Sequence, residues 1–122
     1  MANTNVTPVK VSDVNTMSPK LTANAVTATT DSLVVDVAQS QDKKIVFIVD
    51  NSANTSAAAT VTVKAGDNVA GVNDLTLTVA KGEIGFFQLD SNAYMNANGG
   101  NKGKIVINVS STDCKLLVAE MR

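Results

Sequence analysis

Histidine and tryptophan are both absent from the 122 residues. Without imidazole the chain lacks the commonest general base and the commonest transition-metal ligand. A single cysteine, Cys114, leaves no partner for an internal disulfide and no thiolate set for a zinc or iron–sulfur site. Excess charge is missing too: ten basic residues against eleven acidic give a net charge of −1. Nucleic-acid affinity comes mainly from phosphate neutralisation by Lys and Arg, so this balance argues against a nucleic-acid partner. The longest unbroken apolar run, Ile45 to Val49, is too short to cross a bilayer as a helix. The start, MANTNVTPVK, has no basic region followed by an apolar one, so the expectation is a cytoplasmic product without a signal peptide. Aromatic residues are few, three Phe and one Tyr, and give little for a sugar to stack on.

What is abundant is β-branched. Val and Thr together supply 31 of the 122 residues. Such side chains are stiff at χ1 and suit a pleated surface, which favours sheet over helix. At this length the chain is one domain with a core of its own, independent of disulfides or metal.

Residues 1–32 are rich in Thr, Asn, Val and Ala, carry Pro8 and Pro19, and alternate weakly around Val9–Val11 and Leu21–Ala25. Proline removes a ladder donor, so this stretch fits an extended arm or edge strands. It either adds a strand to its own sheet or docks on a partner.

Residues 33–122 carry regularly spaced strand patterns. LVVDVA (33–38) and KIVFIVD (44–50) flank a turn at Gln39–Lys43, and the second is apolar on both faces, as in a strand covered on two sides. AATVTVK (58–64) and LTLTVA (75–80) alternate cleanly. The short Lys81-Gly82-Glu83 turn predicts a hairpin between Leu75–Ala80 and Ile84–Leu89, in which Phe86 and Phe87 face opposite ways unless Gly85 marks a bulge. Asn51–Ser56 and Ser91–Gly103 are polar loops, and KIVINV (104–109) with CKLLVAE (114–120) forms a predicted closing hairpin. The fold class is therefore all-β, a single β-sandwich, jelly-roll-like or Ig-like, with an extended N-terminal arm.

Chemistry finds little footing in these patterns. Asp67, Asn73 and Asp74 share one Gly-containing connection, but their spacing is not that of an EF-hand, and such residues are mostly turn formers. Gly66-Asp67-Asn68 and Gly99-Gly100 precede strands, whereas a phosphate loop opens a helix. Cys114 has no base beside it and reads as a small buried hydrophobe. No cofactor, metal or catalytic residue is expected. Tyr94 and Met95, apolar within a polar loop, are either interface anchors or a lid over one end of the core.

The chain resembles the small head decoration (auxiliary capsid) proteins of tailed bacteriophages. The likeness lies in the Ala- and Thr-rich start, KIVFIVDN (44–51) followed by NTSAAATVTVKAG (54–66), GVNDLTLTVAKGEIG (71–85), and the closing NKGKIVIN (101–108) and LLVAEM (116–121). It extends over about residues 20–122 and rests on segment order. The resemblance implies a non-enzymatic protein clamping the exterior of expanded heads. Its partner would be the major capsid protein, its oligomer a trimer, and its arm a reach to neighbours. On that reading Met1–Leu21 is the binding element, with Val6, Pro8, Val9, Val11, Met17 and Leu21 as contacts beside Tyr94 and Met95. An extended segment of this kind binds through main-chain hydrogen bonds, which asks little of its sequence. Its removal is then expected to abolish shell binding and leave the sandwich folded. The competing expectation is a surface- or carbohydrate-binding module of a receptor-binding, adhesin or tail protein.

Overall fold

The computed structural model describes residues 2–38 and 44–122; the turn expected at Gln39–Lys43 lies outside them. Among the described residues nine strands follow in order: β1 (Asn3–Val6), β2 (Val9–Lys10), β3 (Ser32–Asp36), β4 (Ile45–Asp50), β5 (Ala59–Val63), β6 (Leu75–Val79), β7 (Ile84–Phe87), β8 (Lys104–Val109) and β9 (Lys115–Glu120), with an α-helical turn, α1 (Ser91–Tyr94), and a 3-10 turn at Gly99–Asn101. They form a five-stranded sheet, β1-β3-β8-β5-β6, packed on a four-stranded sheet, β2-β9-β4-β7. The molecule is an all-β sandwich.

The alternation decides which side chains turn inward. Leu33 and Val35 of β3, Val61 and Val63 of β5, and Ile105 and Ile107 of β8 face Phe47, Val49, Leu116 and Val118 of the second sheet. All ten are almost completely buried. The stacked rings of Phe47 and Phe87, 5.2 Å apart and 6° from parallel, are the aromatic contribution to this Val-rich core.

The two predicted hairpins do not form. β6 and β7 lie in different sheets, as do β8 and β9, and the chain changes sheet at every connection except β5–β6. The reason lies in the turns. A two-residue hairpin needs a type I′ or II′ turn with positive φ at its first central residue. Lys81 has no positive φ, and Gly82 has φ +73°, the type II pattern, which splays its flanking strands. The Gly82 N–H donates to the carbonyls of Asn51 (3.2 Å) and Asn54 (3.0 Å), so the turn is tied to the loop after β4. Between β8 and β9, residues 110–114 hold no positive φ at all, and the Cys114 N–H turns back on the Ser111 carbonyl. In β7 the register with β4 is regular, so no bulge is present and Phe86 and Phe87 point to opposite faces.

The N-terminal segment is built into both sheets. β1 runs parallel to β3 at one edge, with Val6 opposite Val35. The chain then crosses at Thr7-Pro8, and β2 runs parallel to β9 at the edge of the other sheet. Further on, Asn24 exchanges main-chain hydrogen bonds with Leu116 (2.9 and 2.8 Å) along the same edge of β9. Asp31 anchors β1: its carboxylate accepts from the Ala2 N–H (2.9 Å) and the Thr27 hydroxyl (3.0 Å). Those two hydrogen bonds hold its pKa below the ordinary 3.8. A carboxylate with a depressed folded pKa contributes stability above its unfolded pKa and loses it as pH falls through the folded one. The protection of the Ser32 amide, which donates to the Ala2 carbonyl at 3.0 Å, is therefore expected to drop as the pH is lowered below the ordinary carboxylate pKa of 3.8. In Asp31→Asn the drop should vanish. Hydrogen exchange corrected for intrinsic rates checks this, and equal protection above and below that pKa would show that Asp31 does not hold the strand.

Candidate interaction surface

The outer faces of the two sheets differ in chemistry. On the five-stranded sheet, Thr60 and Thr62 of β5 stand opposite Thr78 and Thr76 of β6, and Asp36 of β3 opposite Lys104 of β8. The Ser32 hydroxyl donates to Asn108 Oδ1 at 2.7 Å. Apart from Val34 and Val106, side by side, this face is polar.

The four-stranded sheet carries the opposite pattern. Its rows run Val9–Ala119–Val46, then Leu117–Ile48–Phe86, then Lys115–Asp50–Ile84. Phe86 is 78% exposed and Ile84 59%, while Val46, Ile48 and Leu117 are half-buried. The charges close one end only: Asp50 is held ionised, its pKa lowered by the Ser52 hydroxyl and N–H and by Lys115 nearby. The strand expected to be covered on two sides, β4, is covered among the described residues on its inner side alone. Burying a side chain such as Phe86 or Ile84 is worth about 1.5–3 kcal/mol, so the face has several kcal/mol to contribute to an interface. Isolated exposed hydrophobics are ordinary; a contiguous apolar face on one side of one sheet marks an interaction surface.

The residues singled out in the sequence are scattered by comparison. Val6 is buried in the core at 2% exposure and has no surface to offer a partner in this fold. Val9 and Val11 are half-buried, paired along β9 through Ala119 and Glu120, and Pro8 sits half-buried at the crossing between sheets. Met17 is 94% exposed, and Leu21 lines a shallow depression with Lys20, Thr22 and Ala23. Tyr94 and Met95 are half-buried and pack against the core. Gly66 explains their position, since any Cβ there would strike the Met95 carbonyl. The apolar face itself escaped the sequence reading, although two signals pointed to it: apolar residues on both sides of KIVFIVD and the Phe86-Phe87 doublet.

The acidic loop residues are engaged in turns. Asp74 accepts from the Ala65 N–H and from Lys64 Nζ (both 2.7 Å), and Asp67 accepts from the Ala97 N–H. Among the described residues, no group of three or more His, Cys, Asp or Glu is placed to hold a metal ion. Cys114 is buried, and desolvation, with Asp50 nearby, pushes its thiol up to about 11. Among the described residues no helix is long and apolar enough to cross a membrane. No protein-family model, curated protein or solved structure matches this chain.

Proposed function

We propose that this protein is a non-enzymatic structural component that binds the outer surface of a tailed-phage capsid and stabilises the expanded head, with the major capsid protein as its partner. The observation that carries the reading is the apolar outer face of the four-stranded sheet, set against the polar outer face of the other sheet. A protein lying on a shell needs one face to bury and one for solvent, and this sandwich has one of each. The resemblance of segments 44–51, 54–66, 71–85 and 101–108 to head decoration proteins names the kind of surface. A shell filled with packed DNA is under tension. A protein repeated over it adds contact area at every position, and many modest contacts add up through multivalency.

The test is co-sedimentation with expanded and unexpanded shells stripped of this protein. Saturable binding to expanded shells in fixed proportion to the capsid protein is expected. Leu117→Lys, which puts a charge at the centre of the face, is expected to weaken that binding at least tenfold, a loss of about 1.4 kcal/mol or more. Binding to neither shell removes the capsid reading. Full binding by Leu117→Lys removes the apolar face as the contact.

A further inference from the structure

β7, like β6 in the other sheet, is an edge strand, and its far edge is apolar. Among the described residues no strand pairs with it. Natural sheets protect such edges with charge, proline, bulges or very short strands. Ile-Gly-Phe-Phe (84–87) has no charge and no proline, and its register with β4 is unbroken. The direction of its main-chain groups follows from the neighbouring pair. The Asn51 N–H donates to the Glu83 carbonyl at 3.0 Å, which makes 51/83 a hydrogen-bonded pair. By alternation Gly85 and Phe87 bond inward to β4, and Ile84 and Phe86 aim their N–H and C=O groups outward.

We infer that this edge pairs antiparallel with the same edge of a second copy of the chain, Phe86 opposite Phe86 on a two-fold axis perpendicular to the sheet. Three features of β7 select a second copy as the occupant. First, outward-directed groups must meet outward-directed groups, and Phe86 against Phe86 satisfies this while setting Ile84 opposite Gln88. Second, the inner face is complementary to itself. This register brings Phe87 of each copy opposite Gly85 of the other, in a close non-hydrogen-bonded pair. Gly85 stands beside a slot of about 160 Å³ between β6 and β7, lined by Val49, Leu77, Val79 and Phe87. Third, the same register keeps both apolar outer faces on one side, joining two four-stranded sheets into one surface.

The contact goes beyond the capsid reading and does not depend on it. It is smaller than the roughly 1,200 Å² of a standard stable interface, so the equilibrium should be visible only at elevated concentration. Sedimentation equilibrium of the full chain from about 1 μM to about 1 mM is expected to show monomer and dimer alone. Phe86→Lys sets two like charges face to face at a position 78% exposed. It should keep the circular dichroism spectrum and weaken dimerisation at least tenfold, whereas Met17→Lys should change nothing. A second variant reads the register directly. Cα atoms of a hydrogen-bonded antiparallel pair lie about 5.5 Å apart, within disulfide range. Mild oxidation should therefore join Phe86→Cys into a covalent dimer and leave Ile84→Cys monomeric. Cys114, buried with its thiol near 11, does not compete. A protein that is monomeric throughout, a trimer, a dimer unaffected by Phe86→Lys, or equal cross-linking of the two cysteine variants would each overturn the inference. None of these outcomes bears on shell binding, which Leu117→Lys tests separately.

Discussion

Asn51→Asp is expected to destabilise the folded chain by about 3–5 kcal/mol at neutral pH, the cost of an uncompensated buried charge. Asn51 is fully buried. Its amide NH2 lies within reach of the carbonyls of Ala57 (3.4 Å), Val79 (3.2 Å) and Ala80 (3.2 Å). Its main-chain N–H bonds Glu83, and its carbonyl accepts from Asn54 (3.1 Å) and Gly82 (3.2 Å). One side chain thus joins the end of β4, the loop that follows it, the end of β6 and the turn into β7. Its Oδ1 is buried without a hydrogen-bond partner, so only the donor end is used. A carboxylate in its place would face three carbonyl oxygens with no proton to give. Burial and those carbonyls would raise the introduced carboxyl's pKa above its unfolded value, so the penalty should shrink as pH is lowered and grow as pH rises. Asn51→Ala, which only removes the donors, should cost less, about 1–3 kcal/mol. Urea unfolding at two pH values checks both. Equal midpoints for wild type and Asn51→Asp at neutral pH would show that the amide does not hold this end of the sandwich.

Removing residues 1–10 is expected to cost a comparable amount, on the order of 3–5 kcal/mol, of which Val6 burial alone is about 1.5–3 kcal/mol. The deletion strips β1 from β3 and β2 from β9, and with them Val6 from the core. It also removes the Ala2 N–H that Asp31 accepts from. Two edges are then laid open in one step, inviting the pairing between chains that open edges promote. Lower thermal stability is expected, together with lost amide protection along β3 and β9. Unchanged melting and protection would mean that the segment adds nothing to the sandwich. The pairing of this segment with both sheets sets this loss of stability against the expectation that the sandwich stays folded without its arm. Loss of shell binding by such a truncation would report damage to both sheets as well as any missing contact. Met17→Ala is the cleaner probe of the arm, because Met17 is 94% exposed.

Part of the interaction surface was legible beforehand. The double-sided hydrophobicity of KIVFIVD puts Val46 and Ile48 on an apolar second face, and Phe86 beside Phe87 sends one ring away from the core. Neither says whether that face is covered by the same chain. The lid role of Tyr94 and Met95 was one of two readings their setting allowed. Gly66, whose missing side chain lets the loop close down on the core, explains how both come to pack there.

Taken by itself, the sequence determines the all-β class and, in the cleanly alternating strands β5 and β6, the side that turns inward. Those properties are local: β-branched residues at period two read the same in any sandwich. It does not determine which sheet a strand joins. Lys81-Gly82-Glu83 and residues 110–114 join alternating strands just as hairpin turns do. Their φ signs, and the hydrogen bonds from Gly82 to Asn51 and Asn54, send the next strand into the opposite sheet. Tertiary structure alone decided that the N-terminal segment pairs with an edge of each sheet and that, among the described residues, β6 and β7 keep open edges and the outer face of the four-stranded sheet is left bare. Each of these depends on partners distant in the chain, Val6 with Val35 and Ile48 with both Leu117 and Phe86, and alternation reports which way a side chain points but not what stands beside it.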